Sequence, residues 1–275
     1  MALDTKLIRQ TFQRLDRELA KLAKKPEPER VHKFRTSSRR VEALLSEVPP
    51  AIHRNDEKVL KSLSRLRKKA GRVRDLDVQI QALRTLKFPQ ANGHKAQLMD
   101  ALVEERSKRE RKLAKAFDPE TVAEVRKRLK RAGRDLKLPG NTDPVAITLR
   151  KLSELNSGAQ VTEKLLHQYR IVGKRARYIA ELAGDDPETK RAVEQLKHMQ
   201  DVIGDWHDWL KLTERAEELI GNVPSSALVA MLRNVTQSKF RQSVELVSTI
   251  RSAFAEKKYS ARAGQDKVKA VATAA

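Results

Sequence analysis

The feature that most constrains this chain is a stretch from Val31 to Val41 that returns in altered form from Leu166 to Ala176. The first copy carries His32, Arg35, Arg39 and Arg40, and the second carries His167, Arg170, Lys174 and Arg175. Both read His-x-x-Arg-x-x-x-basic-Arg, at an offset of 135 residues, about half of the 275-residue chain. Val31, Phe34, Ser38, Val41 and Leu45 make a helical seam in one copy, and Leu165, Tyr169, Val172, Ala176 and Ile179 make one in the other. His, Arg and the next basic residue fall at i, i+3 and i+7, so each copy predicts a helix with a basic stripe beside its buried side.

A second correspondence keeps nearly the same offset. Leu63, Leu66, Gly71 and Asp75 answer to Leu196, Met199, Gly204 and Asp208, 133 residues later. Two matches in the same order at one spacing imply duplication, and the period is too long for a solenoid unit. The spacing fits two tandem copies of a whole helical bundle.

Punctuation along the chain agrees. Helical patterns run from about 4 to 25, ending at Pro26 and Pro28; from 29 to 48, ending at Pro49-Pro50; and from 55 to 86, with a possible bend at Gly71. A fourth opens near His94 and reaches Phe117, where Asp118-Pro119 restarts a helix as far as Leu136. Pro139-Gly140-Asn141 is the expected boundary between halves. Beyond it, helices are expected from Asp143-Pro144 to about 155, from 160 to 183, from Pro187 to 220 and from Pro224 to about 257. No alternating strand pattern survives, which predicts an all-α fold of two four-helix bundles, 1–140 and 141–257, related by a pseudo-twofold repeat. The polar, Ala- and Lys-rich end, 258–275, reads as a disordered tail.

Charge narrows the partner. The chain carries 58 Lys and Arg against 36 Asp and Glu, net +22, which implies a polyanion. Residues 1–140 hold 37 basic and 19 acidic groups, net +18, while 141–275 hold 21 and 17, net +4. The first half should dominate binding. There are no cysteines, so disulfides and thiolate chemistry are excluded, in keeping with a reducing, cytoplasmic setting. The first twenty residues lack an apolar signal region, and no apolar run is long enough to span a membrane.

In the fourth helix Met99, Leu102, Arg106, Arg109, Leu113 and Ala116 keep a/d spacing, which puts two arginines where a bundle wants apolar residues. An unpaired buried arginine is costly. Either carboxylates such as Glu104 or Asp77 pair with them, or Arg106 and Arg109 line a solvated cavity that awaits an anion; the second reading adds both to the expected binding set. Lys239 interrupts a similar seam in the second half.

Enzymatic readings find little support. His207-Asp208 is an HD dipeptide without the further His and Asp that the HD phosphohydrolase arrangement needs. Asp201, Asp205 and Asp208 lie at i, i+4 and i+7 and could hold a divalent ion, though capping and surface pairing suit them better. No phosphate-cradling glycine loop and no nucleophile elbow is present, so neither catalysis nor a metal or other cofactor is expected.

The doubled His helix, each time followed by a helix carrying Gly and Asp, resembles the CHAD family, the conserved histidine α-helical domain, over about residues 4–256. Arg-Val-Arg-Asp-Leu-Asp at 72–77 resembles the family's second motif; the second copy has Asp205-Trp206-His207 where the first has Arg72-Val73-Arg74. The resemblance implies two four-helix bundles around a basic channel that binds inorganic polyphosphate, with localisation to polyphosphate granules. His32, Arg35, Arg39 and Arg40 would form one wall and His167, Arg170, Lys174 and Arg175 the other. The rival is a nucleic-acid-binding helical protein, favoured by net charge. Against it stand only 11 aromatic residues, mostly in apolar seams, and no base-reading module.

Overall fold

In a computed structural model of the chain, the described residues are 3–88, 93–139, 142–155, 160–184, 187–221 and 226–273, with side chains described as far as Ser252 except at 145, 149 and 188. Among them every regular element is a helix: α1 (Thr5–Lys24), α2 (Pro28–Glu47), α3 (Arg54–Thr85), α4 (His94–Ala116), α5 (Pro119–Asp135), α6 (Pro144–Ser153), α7 (Glu163–Ala180), α8 (Pro187–Ile220) and α9 (Ala227–Thr273).

Local chemistry sets these limits. Asp4 caps α1, its Oδ1 accepting from the Lys6 and Leu7 amides at 2.7 and 3.2 Å. Asp118 caps α5 by accepting from the Thr121 amide at 2.8 Å, and Pro119 follows at the first helical position. Thr162 caps α7 by accepting from the Leu165 amide at 3.2 Å. The helix is not broken at Gly71, since α3 runs as one helix through it. The turns expected at Asn92, Gly140-Asn141, Asp186 and Pro224 lie outside the described residues. The end of the chain differs from expectation: helix continues through 258–273 to Thr273, and Ala and Lys, abundant there, are strong helix formers.

Three hydrophobic clusters hold the helices. The first joins Phe12, Leu15 and Leu19 of α1, Val31, Phe34 and Val41 of α2, Leu63 and Leu66 of α3, Leu113 of α4, and Val125 and Leu129 of α5. Into it come Tyr178 and Ile179 from the end of α7 and Leu182 from the following turn. The third cluster joins Leu152 of α6, Leu166, Tyr169 and Ala176 of α7, Leu196, Met199 and Trp206 of α8, and Val247 of α9. Between them the second draws Leu76, Ile80 and Leu83 of α3 and Leu98 and Leu102 of α4 together with Leu212 of α8 and Leu228 and Leu232 of α9. Each fully buried Leu or Phe contributes about 1.5–3 kcal/mol. The apolar interior therefore crosses the expected boundary near 140, and two of the three clusters take residues from both halves.

The seam of α7 lies one position from the expected one. Leu166, Tyr169, Gly173 and Ala176 are buried, whereas Leu165 and Val172 are partly exposed. These buried positions stand 135 residues from Val31, Phe34, Ser38 and Val41, all buried on α2. Gly173 hides as a seam position because it has no side chain. A Cβ there would meet Met199 Cε at 2.5 Å, so the methionine fills the space.

Candidate functional site

In each half the His helix is packed by the helices before and after it: α2 by α1 and α3, α7 by α6 and α8. The two His helices also pack on one another, and α3 packs on α8. The polar stripes beside the two seams thus meet along one cleft. Asp75 of α3 and Asp208 of α8 stand at its flanks, four residues after Gly71 and Gly204 respectively.

The cleft is overcrowded with cations. Arg35 is largely buried, its Nη1 3.4 Å from Asp75 Oδ1 and without a hydrogen-bond partner. Its pKa is lowered to about 10, by burial first and then by Arg39, Arg67 and Arg170, against the pull of Asp75. Arg170 faces it from α7 with its Nε buried and unpartnered. Burial lowers the Arg170 pKa, Arg39 adds to the effect, and Asp208 and Asp75 oppose it. Lys174, one turn on, is pushed down to about 7 by burial and by Arg170, Arg39 and Arg35.

Asp208, His207 and His32 respond in kind. Asp208 is held above the usual carboxylate range, chiefly by burial. His207 is pushed down to about 3, by burial first and then by Arg170, Lys211, His167 and Lys174. The His167 and His207 rings lie with centroids 5.7 Å apart. His32 is also held below its ordinary value, by burial and then Arg74, Arg35, Arg39 and Lys33. The field of the arginines therefore opposes imidazolium at His32 and His207. An anion alongside would reverse that field.

His32, Arg35, Arg39, His167, Arg170 and Lys174 are thus brought together, and the other four expected residues are not. Arg40 donates to Glu181 Oε2 from Nε at 2.8 Å and its guanidinium lies over Tyr178, 5.5 Å from the ring centroid. Arg175 is mostly exposed, with Nη1 3.8 Å from Glu47. Arg106 donates from Nε to Asp77 and from Nη1 to Glu110, each at 2.7 Å. Arg109 donates to Glu105 at 2.5 Å, and Glu104 pairs with Lys108. Arg106 and Arg109 are therefore ion-paired, the first of the two alternatives, and Arg106 also borders a cavity outside the cleft. The i, i+4 spacing of Glu105 to Arg109 and Arg106 to Glu110 was the signal for the pairing.

Sequence reasoning also passed over Arg74, Asp75 and His207 as members of the cleft, although the Gly-x-x-x-Asp correspondence marked their positions. Arg74 connects the cleft to a neighbouring cavity of about 670 Å³ between α3, α4 and α8, bounded also by Asp77, Val103, Arg106, Asp205 and Trp209. Asp205 is engaged by Lys239 at 2.8 Å, and no group of three His, Cys, Asp or Glu with metal-binding arrangement occurs among the described residues. No described helix is long and apolar enough to cross a membrane.

Comparison with known proteins adds the family. No curated protein matches the sequence. The structure is similar to the crystal structure of the CHAD domain from the plant Ricinus communis, with a TM-score of 0.67 and 18% identity, covering 91% of this chain and 90% of that one. It is also similar to PptA from Streptomyces chartreusis, with a TM-score of 0.65 and 15% identity, covering 90% and 96%. At such identities the likeness is one of fold. The sequence model of the CHAD domain matches residues 6–217, which spans both His helices and the Gly and Asp positions of α3 and α8, and the chain belongs to the CHAD domain family.

Proposed function

We propose that the cleft between α2 and α7 binds inorganic polyphosphate without hydrolysing it. The observation that carries this reading is the pair of buried guanidinium nitrogens without a hydrogen-bond partner, Arg35 Nη1 and Arg170 Nε, in a cleft whose arginines and lysine outnumber Asp75 and Asp208. A buried unmade hydrogen bond at a charged group costs about 1–3 kcal/mol or more, and a chain of phosphate oxygens would supply the acceptors and the charge together. The family resemblance points the same way. Polyphosphate has no bases to read, in keeping with a cleft whose contributing groups are Arg, Lys, His and Asp.

The test is competition among long-chain polyphosphate, duplex DNA and RNA for the purified chain, with orthophosphate release followed in parallel. Polyphosphate is expected to displace both nucleic acids at lower concentration of phosphate groups, with no steady release. Equal competition would favour the nucleic-acid reading, and sustained release would make the protein an enzyme. In a cell the protein is then expected in the cytoplasm, gathered at polyphosphate granules.

A further inference from the structure

The two copies of the basic motif differ at one position inside the cleft: Lys174 stands where the first copy has Arg39. The difference is chemical as well as steric. A guanidinium keeps its proton in any protein setting, whereas a buried ammonium surrenders it when surrounded by like charge. Lys174 stands one helical turn after Arg170 on α7, the helix that packs on α2. Arg35 and Arg39 face it from α2 and Arg170 from its own helix, while Asp208 of α8 is the one carboxylate that acts on it strongly.

We propose that a polyanion entering this cleft takes up one proton from solvent, at Nζ of Lys174, so that binding strengthens as the solution is acidified. The inference rests on the polyphosphate reading, to which it adds a regulation. In the free protein Lys174 is neutral through most of the range above pH 7, since its pKa is lowered to about 7. Phosphate oxygens laid against Arg35 and Arg170 cancel the repulsion that holds it there and accept hydrogen bonds from the ammonium. No covalent bond is made or broken.

His207, His32 and Asp208 also have displaced pKa values, and none of them is lowered toward this window from above. His207, pushed down to about 3, remains neutral above pH 6. His32 is held below its ordinary value of 6.5, so its own proton uptake falls at lower pH. Asp208 is held above 3.8 by burial and by Asp75 and Asp205, with Arg170 and Lys174 opposing. An arriving anion would add to its protonation, in the same direction as Lys174.

The sign follows from linkage: the complex binds more protons than the free protein, so affinity falls as pH rises above 7, by up to about tenfold per pH unit. Titration calorimetry of the full chain with long-chain sodium polyphosphate at pH 8, in two buffers of different ionisation enthalpy, reads the proton uptake directly. Close to one proton is expected for the wild type and close to none for Lys174→Arg, whose affinity should be flat between pH 7 and 9. Lys174→Gln should also take up no proton while binding more weakly than Lys174→Arg at every pH. Lysine Cε chemical shifts, followed against pH in the free chain, give the same answer without ligand, as one lysine titrating some three units before the rest. Binding by the wild type without uptake, or uptake undiminished in Lys174→Arg, overturns the linkage and leaves polyphosphate binding standing. Absence of any binding overturns both.

Discussion

A Cβ built on Gly71 of α3 would stand 2.6 Å from Nη1 of Arg35 on α2, so the buried guanidinium lies where any other residue would place a side chain. Gly71 is a packing requirement of the cleft, in the middle of a helix that continues through it. Its counterpart Gly204 has nothing within 4 Å of the same point, so Arg170 does not lean on α8 in this way.

The pair gives a clean contrast. Gly71→Ala should displace the Arg35 guanidinium, lowering polyphosphate affinity roughly tenfold, about 1.4 kcal/mol. Its thermal midpoint should hold or rise, because alanine in place of glycine favours a helix by about 0.5–1 kcal/mol. Gly204→Ala should show the gain in stability with affinity unchanged. Melting curves and binding isotherms for the two variants decide it; an affinity loss shared equally would remove the special role of Gly71.

Removal of charge from the cleft should act locally. Arg35→Ala and Arg170→Ala are each expected to lower polyphosphate affinity about tenfold or more, since a charge-assisted contact contributes about 1.5–3 kcal/mol. Lys269→Ala removes the same formal charge near the end of the chain and should have a small effect. Arg35→Met should in addition raise stability, as the buried unpartnered nitrogen is lost. Equal small losses at 35, 170 and 269 would reduce the interaction to net charge.

Salt should weaken binding steeply. If several phosphates are neutralised, a log–log plot of affinity against salt should have a slope of several units, by analogy with about −0.9 per phosphate contact for duplex DNA. Fluorescence anisotropy of end-labelled polyphosphate across a salt series measures it. A flat plot is incompatible with counterion release.

Arg106 should behave as part of the fold. Its partner Asp77 is 9% exposed and already has one buried oxygen without a donor, so Arg106→Ala leaves that carboxylate unpaired. A loss of about 2 kcal/mol in unfolding free energy is expected, with polyphosphate affinity little changed. Denaturant titration beside a binding isotherm separates the two effects.

Stability of the unliganded chain should carry the mark of Lys174. Its folded pKa of about 7 lies below its unfolded value, so between the two the unfolded chain binds more protons and stability rises with pH. Lys174→Gln removes the group, and its advantage over wild type should be greatest below pH 7 and shrink as pH climbs toward 10. A constant gap across pH 6–9 in thermal melts would place the lysine in solvent.

Helix limits were legible because proline, glycine and capping residues act within a few positions of themselves. Asp4, Asp118-Pro119 and Thr162 do their work on amides two or three residues away. The six cleft residues were legible because a helix fixes which side chains share a face. Arg40 was not, since its partner Glu181 is 141 residues distant and nothing in the His motif distinguishes a guanidinium that enters the cleft from one that turns to a neighbouring helix. Arg106 misled through its a/d position, which speaks of the buried side of a helix and is silent on the carboxylate waiting there. The register of α7 was obscured by Gly173, a core position without a side chain.

The amide of Asp4 donates to the carbonyl of Leu182 at 2.9 Å, and the turn that supplies this acceptor also sends Leu182 into the first core beside Tyr178 and Ile179. A ribosome delivers α1 long before it delivers α7. At about 5–20 residues per second, several seconds or more separate the two, and during that time the first five helices have one wall of their core missing. The nascent chain must therefore wait for a segment beyond its own midpoint before the amide that opens its first helix finds its acceptor.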